Sequence, residues 1–345
     1  MRRCVPILAI LVACRIEVGA PESAPKGTAS SMGRPAGSVL VYTSMYRPVI
    51  DAVTPVLEAK LPEVKVEWLQ GGSEKIATRL DAELAAGETP ADILMTSDPF
   101  WYERLKAGAH LLPYASIRAL SIPRPFVDKD GAFVTSRLSV MVLAYNERLV
   151  QAEEAPDSFE DLFSSRFTHQ VTIPDPLGSG TTFSTLAFLV DAYGVDIIDR
   201  MKKAETIASG GNSSAFARLE SGEQKVGFVL LENVLQGKRN GSPVRFKIPK
   251  EGAILIPGPI AILKRSKNPI AARAVYDLLL SDEIQALIVK GDLHSPFDGV
   301  APPEGAPALE SLLGGRYAWT PAFVARATAR AEEVKRRFAE VMSGP

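Results

Sequence analysis

Residues 39–69 read VLVYTSMYRPVIDAVTPVLEAKLPEVKVEWL. Val39 to Thr43 is a short β-branched apolar run, as a buried strand requires. From Pro48 to Lys60 the apolar residues Val49, Val53, Val56 and Leu57 recur at helical spacing, and Val64 to Leu69 is a second strand. The same alternation runs outward along the chain. Ser73 is placed as an N-cap of a helix through Leu84, residues 91–96 (ADILMT) form a strand, and Asp98 to Ala107 form the next helix. Further strands follow at 138–146, 171–175, 225–231 and along AILIPGPIAILK from Ala253. Helices follow Thr181 and span 214–220, 269–280 and 283–289. Strands alternating with helices predict an α/β fold whose mainly parallel sheet is covered on both faces.

Composition narrows the function. The 345 residues are 46% hydrophobic and 23% charged, which fits a globular chain of two domains, and the formal charge of -1 offers no basic field for nucleic acid. Both cysteines, Cys4 and Cys14, lie at the N-terminus, so the body of the chain holds no disulfide and no thiol nucleophile. The leader MRRCVPILAILVAC has Arg2 and Arg3 before an apolar run far shorter than the ~20 residues that span a bilayer, and it reads as an export signal. Leu11 to Cys14 resembles a lipobox, which predicts lipidated Cys14 as the mature N-terminus after a 1–14 signal. A plain signal cleaved near Gly19 or Ala20 is the alternative. Residues 15–37, rich in Pro, Gly, Ser and Ala, read as a flexible tether.

Polar loops stand where the strands of such a sheet end, at 43–48, 71–74, 96–99, 175–182, 210–215 and 231–233. Ligands of open α/β sheets bind outside the carboxyl ends of strands, where helix N-termini present backbone N–H groups and a positive dipole. Ser179, Gly180 and Thr181 in DPLGSGTT (175–182) read either as an ordinary helix cap or as an anion seat, with Thr43, Ser44, Ser213 and Ser214 assisting.

Taken in order, VLVYTS, VKVEWLQGGSEKIATRL, TPADILMTSDPFWYERLKAGAHLLPY, VMVLAYN, DPLGSGTTF, GNSSAFARLESGEQKVGFVLLEN and GPIAIL resemble the extracellular solute-binding proteins of bacterial ABC uptake systems, in particular the branch of ferric-ion, sugar-phosphate and aminoethylphosphonate binders. The resemblance implies a two-lobe type II periplasmic-binding fold with a hinge of crossing strands. Residues 38–137 plus 251–345 form one lobe and 138–250 the other, hinged near 138–146 and 253–263. It implies a monomeric, exported, lipid-anchored capture protein that needs no cofactor and no resident metal, works with ABC permease and ATPase subunits, and touches the membrane through its anchor alone. Its ligand is a small organic anion: a sugar phosphate, phosphoglycerate or aminoethylphosphonate.

By the same resemblance Ser179, Gly180 and Thr181 cradle the phosphoryl group. Ser73, Ser97, Asp98 and Tyr46 belong to the first lobe's rim, and Glu232, Asn233 and Glu251 grip the organic part. Arg47 is a further candidate donor. The alternative is a ferric-ion carrier. Such carriers hold iron with an adjacent tyrosine pair, whose place is taken here by Val234 and Leu235, while Tyr46 and Ser97 stand where a histidine and a glutamate are found; hard Fe(III) needs anionic oxygen ligands that Val and Leu cannot supply.

Enzymatic readings find little in the same residues. His110, His169 and His294 are far apart, no HExxH or GxSxG occurs, and GSGT lacks the lysine of a phosphate-binding NTPase loop. A periplasmic hydrolase or a sensor subunit remains a further alternative. In the tail, Phe323, Val324, Ala327, Ala331, Val334, Phe338 and Val341 predict an amphipathic helix packed on one lobe, with Lys335, Arg336 and Arg337 on a solvated face.

Overall fold

The computed structural model describes residues 33–313 and 315–343, so the Cys14 lipidation and the signal lie outside the described residues. Within the compact unit Arg34–Pro345 the chain begins β1 (Gly37–Thr43), α1 (Arg47–Lys60), β2 (Val64–Gln70), α2 (Ser73–Ala85), β3 (Ile93–Met95), α3 (Pro99–Ala107) and β4 (Leu111–Leu112). A long strand β5 (Val134–Asn146) leads to β6 (Val171–Ile173), α4 (Gly180–Tyr193), α5 (Ile197–Lys203), β7 (Ile207–Ala208), α6 (Asn212–Ser221), β8 (Val226–Leu230), α7 (Leu231–Arg239) and β9 (Val244–Lys247). The chain returns through β10 (Ile254–Leu263) and ends in α8 (Pro269–Leu279), α9 (Asp282–Lys290), α10 (Leu309–Leu312) and α11 (Pro321–Ser343).

Local chemistry sets several of these boundaries. Pro48, Pro99, Pro269 and Pro321 stand in the first turns of α1, α3, α8 and α11, where a missing N–H costs nothing. The Ser281 hydroxyl accepts from Ile284 N–H at 3.4 Å to cap α9. Ser73 was expected to cap α2, yet the cap position belongs to Gly72 and Ser73 is the first helical residue. The strand expected from Leu138 starts at Val134, which brings Arg137 inside it.

The strands form one sheet in the order β2-β1-β3-β10-β5-β8-β6-β7. β1 is parallel to β2 and β3, and β6 is parallel to β7 and β8, so each end of the sheet is a parallel block. Antiparallel β5 and β10 join the blocks. β10 pairs with β3 and β4 toward its C-terminus, while β5 pairs with β10 over Val134–Met141 and with β8 and β9 beyond it. Every residue of both joining strands is buried, as strands covered on both faces must be. Their register shifts between Gly258 and Pro259, opposite Arg137.

The tail helix corrects its expected placement on one lobe. It packs on α3 of the first block and equally on α4 and α5 of the second. Phe188 and Phe323 stack with ring centroids 3.9 Å apart, and Trp319 and Phe100 extend the aromatic cluster. Nor is the basic run wholly solvated. Lys335 is largely buried against Glu74 at 2.8 Å, with its ammonium 4.6 Å from the Phe183 ring centroid, and Arg337 pairs with Asp199; Arg336 alone of the three stays on the exposed face.

Candidate functional site

Several strand ends of both blocks converge on one cavity of about 210 Å³. The first block contributes Ser44, Met45 and Tyr46 after β1, Gln70 to Ser73 after β2 and Ser97 after β3. The second contributes Gly178 to Thr181 after β6, Gly211 to Ser213 after β7 and Leu230 at the end of β8. Arg137 and Ser139 project from β5. The N-cap residues of α1, α2, α4 and α6, which are Tyr46, Gly72, Ser179 and Gly211, all line this space, so four helix dipoles present their positive ends to it.

The loops of the two blocks touch across the cavity. A Cβ on Gly180 would lie 2.8 Å from the Ser97 carbonyl oxygen and 2.9 Å from Ser73 Cβ, and one on Gly72 would lie 3.1 Å from the Gly178 carbonyl oxygen. Glycine is required at position 180 because the approach is backbone to backbone.

Arg137 is the residue among the described lining that carries a formal charge. Its side chain is 2% exposed, and Gly258 leaves room for it, since a Cβ there would meet Arg137 Cγ at 2.8 Å. Nη2 donates to Ser44 Oγ at 3.2 Å and to Ser97 Oγ at 3.0 Å, and Ser97 N–H donates to Ser73 Oγ at 3.2 Å. Nη1 is buried with no partner. Burial lowers the guanidinium's proton affinity, but arginine stays charged in proteins. A buried cation with a bare donor is an unfinished interaction.

On the opposite rim Ser179 Oγ caps α4, accepting from Thr182 N–H at 3.4 Å. It also lies 3.0 Å from Thr181 Oγ1, and Asn212 Nδ2 donates to both hydroxyl oxygens, at 3.3 and 3.1 Å. The cap reading of DPLGSGTT is met by Ser179, and Ser179, Gly180 and Thr181 also line the cavity.

The cavity brings together Ser44, Tyr46, Ser73, Ser97, Ser179, Gly180, Thr181 and Ser213 of the expected set and leaves out the others. Thr43 Oγ1 instead ties β1 to β3 by donating to Met95 O at 2.9 Å. Asp98 caps α3, accepting from Phe100 and Trp101 N–H. Ser214 is exposed on α6 outside the lining, and Arg47 points to solvent and pairs with Asp51 at 2.8 Å. Glu251 Oε1 accepts from Phe159 N–H, Tyr193 OH and Tyr317 OH, and so joins the second block to the tail. Glu232 and Asn233 are buried just behind the wall. Burial pushes the Glu232 carboxyl up to about 7 and the Tyr46 phenol above its usual range, and Glu232 Oε1 and Asn233 Oδ1 are buried without partners.

Sequence reasoning missed Arg137, Ser139, Gln70 and Asn212. The available signal was a lone arginine within the apolar run VTSRLSVMVLAYN, read as lying before the strand and not in it.

Residues 88–313 match the model of the bacterial extracellular solute-binding protein family, and the chain belongs to that family. Such proteins bind small ligands and work with the permease and ATPase subunits of ABC transporters. An uncharacterized protein of Haemophilus influenzae is 28% identical over 281 residues, covering 77% of this chain and 78% of its own. Among solved structures, iron-bound HitA of Pseudomonas aeruginosa superposes with a TM-score of 0.77 at 19% identity, covering 87% of this chain and 99% of that one. AfuA of Actinobacillus pleuropneumoniae, with fructose-6-phosphate bound, gives 0.78 at 19% identity over 90% and 99%. The ferric binding protein of Campylobacter jejuni gives 0.75 at 20% identity over 88% and 99%. These likenesses show the periplasmic-binding-protein fold, and their ligands differ.

Proposed function

We propose that this protein captures a small organic phosphate or phosphonate for ABC uptake, held between the two blocks of its sheet. The supporting observation is Arg137 in the cavity wall, buried, with Nη2 on the Ser44 and Ser97 hydroxyls and Nη1 without a partner. An oxyanion satisfies that donor, and its remaining oxygens accept from Ser44, Ser97, Ser179 and Thr181. The cavity's 210 Å³ equals about seven water molecules' share of liquid volume, room for a phosphoryl group with a short organic part.

The ferric alternative has less support. Tyr46 is kept neutral by burial, the tyrosine-pair place holds buried Val234 and Leu235, and no group of three His, Cys, Asp or Glu among the described residues is placed to hold a metal. A thermal-shift screen of inorganic phosphate, fructose 6-phosphate, 3-phosphoglycerate, 2-aminoethylphosphonate and ferric citrate tests the reading. A ligand at 100 times its Kd stabilises by about 2.7 kcal/mol. A shift with ferric citrate alone overturns the phosphate reading.

In this reading the blocks are lobes that close about β5 and β10. Small-angle scattering shows compaction on saturation, and equal radii count against closure. The lipid anchor at Cys14 belongs to the same reading, and mass spectrometry of the native N-terminus tests it.

A further inference from the structure

We propose that Arg239 and Asp292 are the clasp of capture: they join the two blocks when the cleft shuts and set how long a ligand stays. The inference rests on the reading of closure about β5 and β10 given above, and on no particular ligand. Arg239 ends α7, which packs on β5, β8 and β9 on the side of the second block. Asp292 follows α9, which packs on α1 of the first block. Gly291 presses on that same helix, since a Cβ there would collide with Val49, and Ser295 Oγ donates to Gln285 Oε1 of α9 at 2.7 Å. The loop that carries Asp292 therefore belongs to the first block.

A two-bonded ion pair crosses from one block to the other. Arg239 Nη1 donates to Asp292 Oδ1 at 2.7 Å and Nη2 bonds Oδ2, the fork-on-carboxylate geometry in which such pairs are strongest. Two local features oppose a carboxylate at this position. The Asp292 backbone is left-handed, with φ 68°, where glycine is the usual residue after a helix. The residue also stands at the C-terminus of α9, where the helix dipole disfavours negative charge. Among the described residues the donors to the carboxylate come from Arg239. Both costs are thus offset from the opposite block.

The same loop reaches the ligand. Leu293, the next residue, lines the cavity. His294 exchanges two backbone hydrogen bonds with Leu138, at 2.8 and 3.0 Å, beside Arg137 on β5. Across the cavity the rims meet at Gly180 and Ser97, so the cleft is shut where the pair is made. Opening the cleft parts the pair, and a ligand cannot leave until it does.

Release of radiolabelled fructose 6-phosphate and of radiolabelled inorganic phosphate into an unlabelled chase reads the clasp, beside the capture rate and the melting of the unliganded protein. Arg239→Gln and Asp292→Asn are each expected to release the probe about five- to ten-fold faster than wild type at ~0.1 M salt, with capture changed less than about two-fold, and the double variant no faster than either single one. At ~1 M salt the gap narrows, because the guanidinium is half-exposed and is screened. Unliganded Asp292→Asn is expected to melt at or above wild type, since asparagine suits the left-handed backbone and removes the charge at the helix end. Unchanged release, or unliganded melting lowered as far as that of the liganded protein, makes the pair a fixed structural contact and overturns the clasp while closure stands. Equal scattering radii for free and saturated wild type remove closure and the clasp with it. If wild type holds neither phosphate probe, the phosphate reading falls and ferric citrate takes their place in the release assay, where the same outcomes decide.

Discussion

On the rim built by β1, β2 and β3, the Ser44 and Ser97 hydroxyls converge on the Arg137 guanidinium; on the rim built after β6 and β7, Ser179, Thr181 and Asn212 are occupied with one another. The first rim is charged and keeps an unpartnered donor, Arg137 Nη1, whereas the second is neutral and keeps an unpartnered acceptor, Asn212 Oδ1. On the proposed function the contrast divides the work of capture: the charged rim is the source of attraction and the neutral rim of shape and oriented hydroxyls, and closure about β5 and β10 would strengthen the charge at Arg137 by removing water.

Removing the charge tests this division most severely. Arg137→Met is expected to cost about 2 to 5 kcal/mol of affinity for the phosphate probe that binds, as truncation of a buried charged partner does. Calorimetry measures the loss, and melting of the unliganded protein checks the fold. An affinity loss below three-fold would place the anion on the neutral rim.

The neutral rim carries a smaller effect that splits between two residues. Thr181→Ala is expected to lose about 1.5 to 3 kcal/mol of affinity, typical of a hydrogen bond to a charged group, with little change in melting. Ser179→Ala loses the α4 cap as well, so its stability falls by about 1 kcal/mol in addition. Unchanged affinity in both variants, with only the cap penalty, would reduce this rim to a structural turn.

Gly180→Ala sharpens the comparison from the side of closure. Its methyl group meets the Ser97 carbonyl, so the rims are held apart at a cost of about 1 to 3 kcal/mol to the closed form. Affinity falls and scattering shows a larger liganded radius than in wild type.

The least effect on binding is expected at Glu74, a buried carboxyl behind the charged rim. Burial and the nearby Asp98 push it up to about 7, against the pull of Lys335. The native state therefore binds more protons than the unfolded state between the unfolded value near 4.5 and about 7, and the stability this group contributes at low pH is lost as pH rises through that window. Glu232 acts with the same sign. Melting temperatures of Glu74→Gln should fall less between pH 5 and pH 8 than those of wild type, with ligand affinity unchanged. A parallel pH profile would show that Lys335 keeps Glu74 ionised throughout.

Helix and strand order was legible in the chain because periodicity is local: Val49, Val53 and Leu57 mark one face of α1 whatever surrounds them, and all three are buried. That Ser179 and Thr181 stand at the start of α4 was legible for the same reason, since a helix start announces its own polar groups. Asp98 and Glu251 had equally suggestive positions and turned out to serve α3 and the pair Tyr193 and Tyr317, because a carboxylate's task depends on which donors reach it in space. The tail helix showed its apolar face in sequence, but its seat across α3, α4 and α5 depended on the surfaces those helices leave uncovered. Arg137 was decided by tertiary structure alone. Burying a guanidinium requires the space Gly258 leaves opposite it and hydroxyls from Ser44 and Ser97, 93 and 40 residues away in the chain, and no local pattern encodes that meeting.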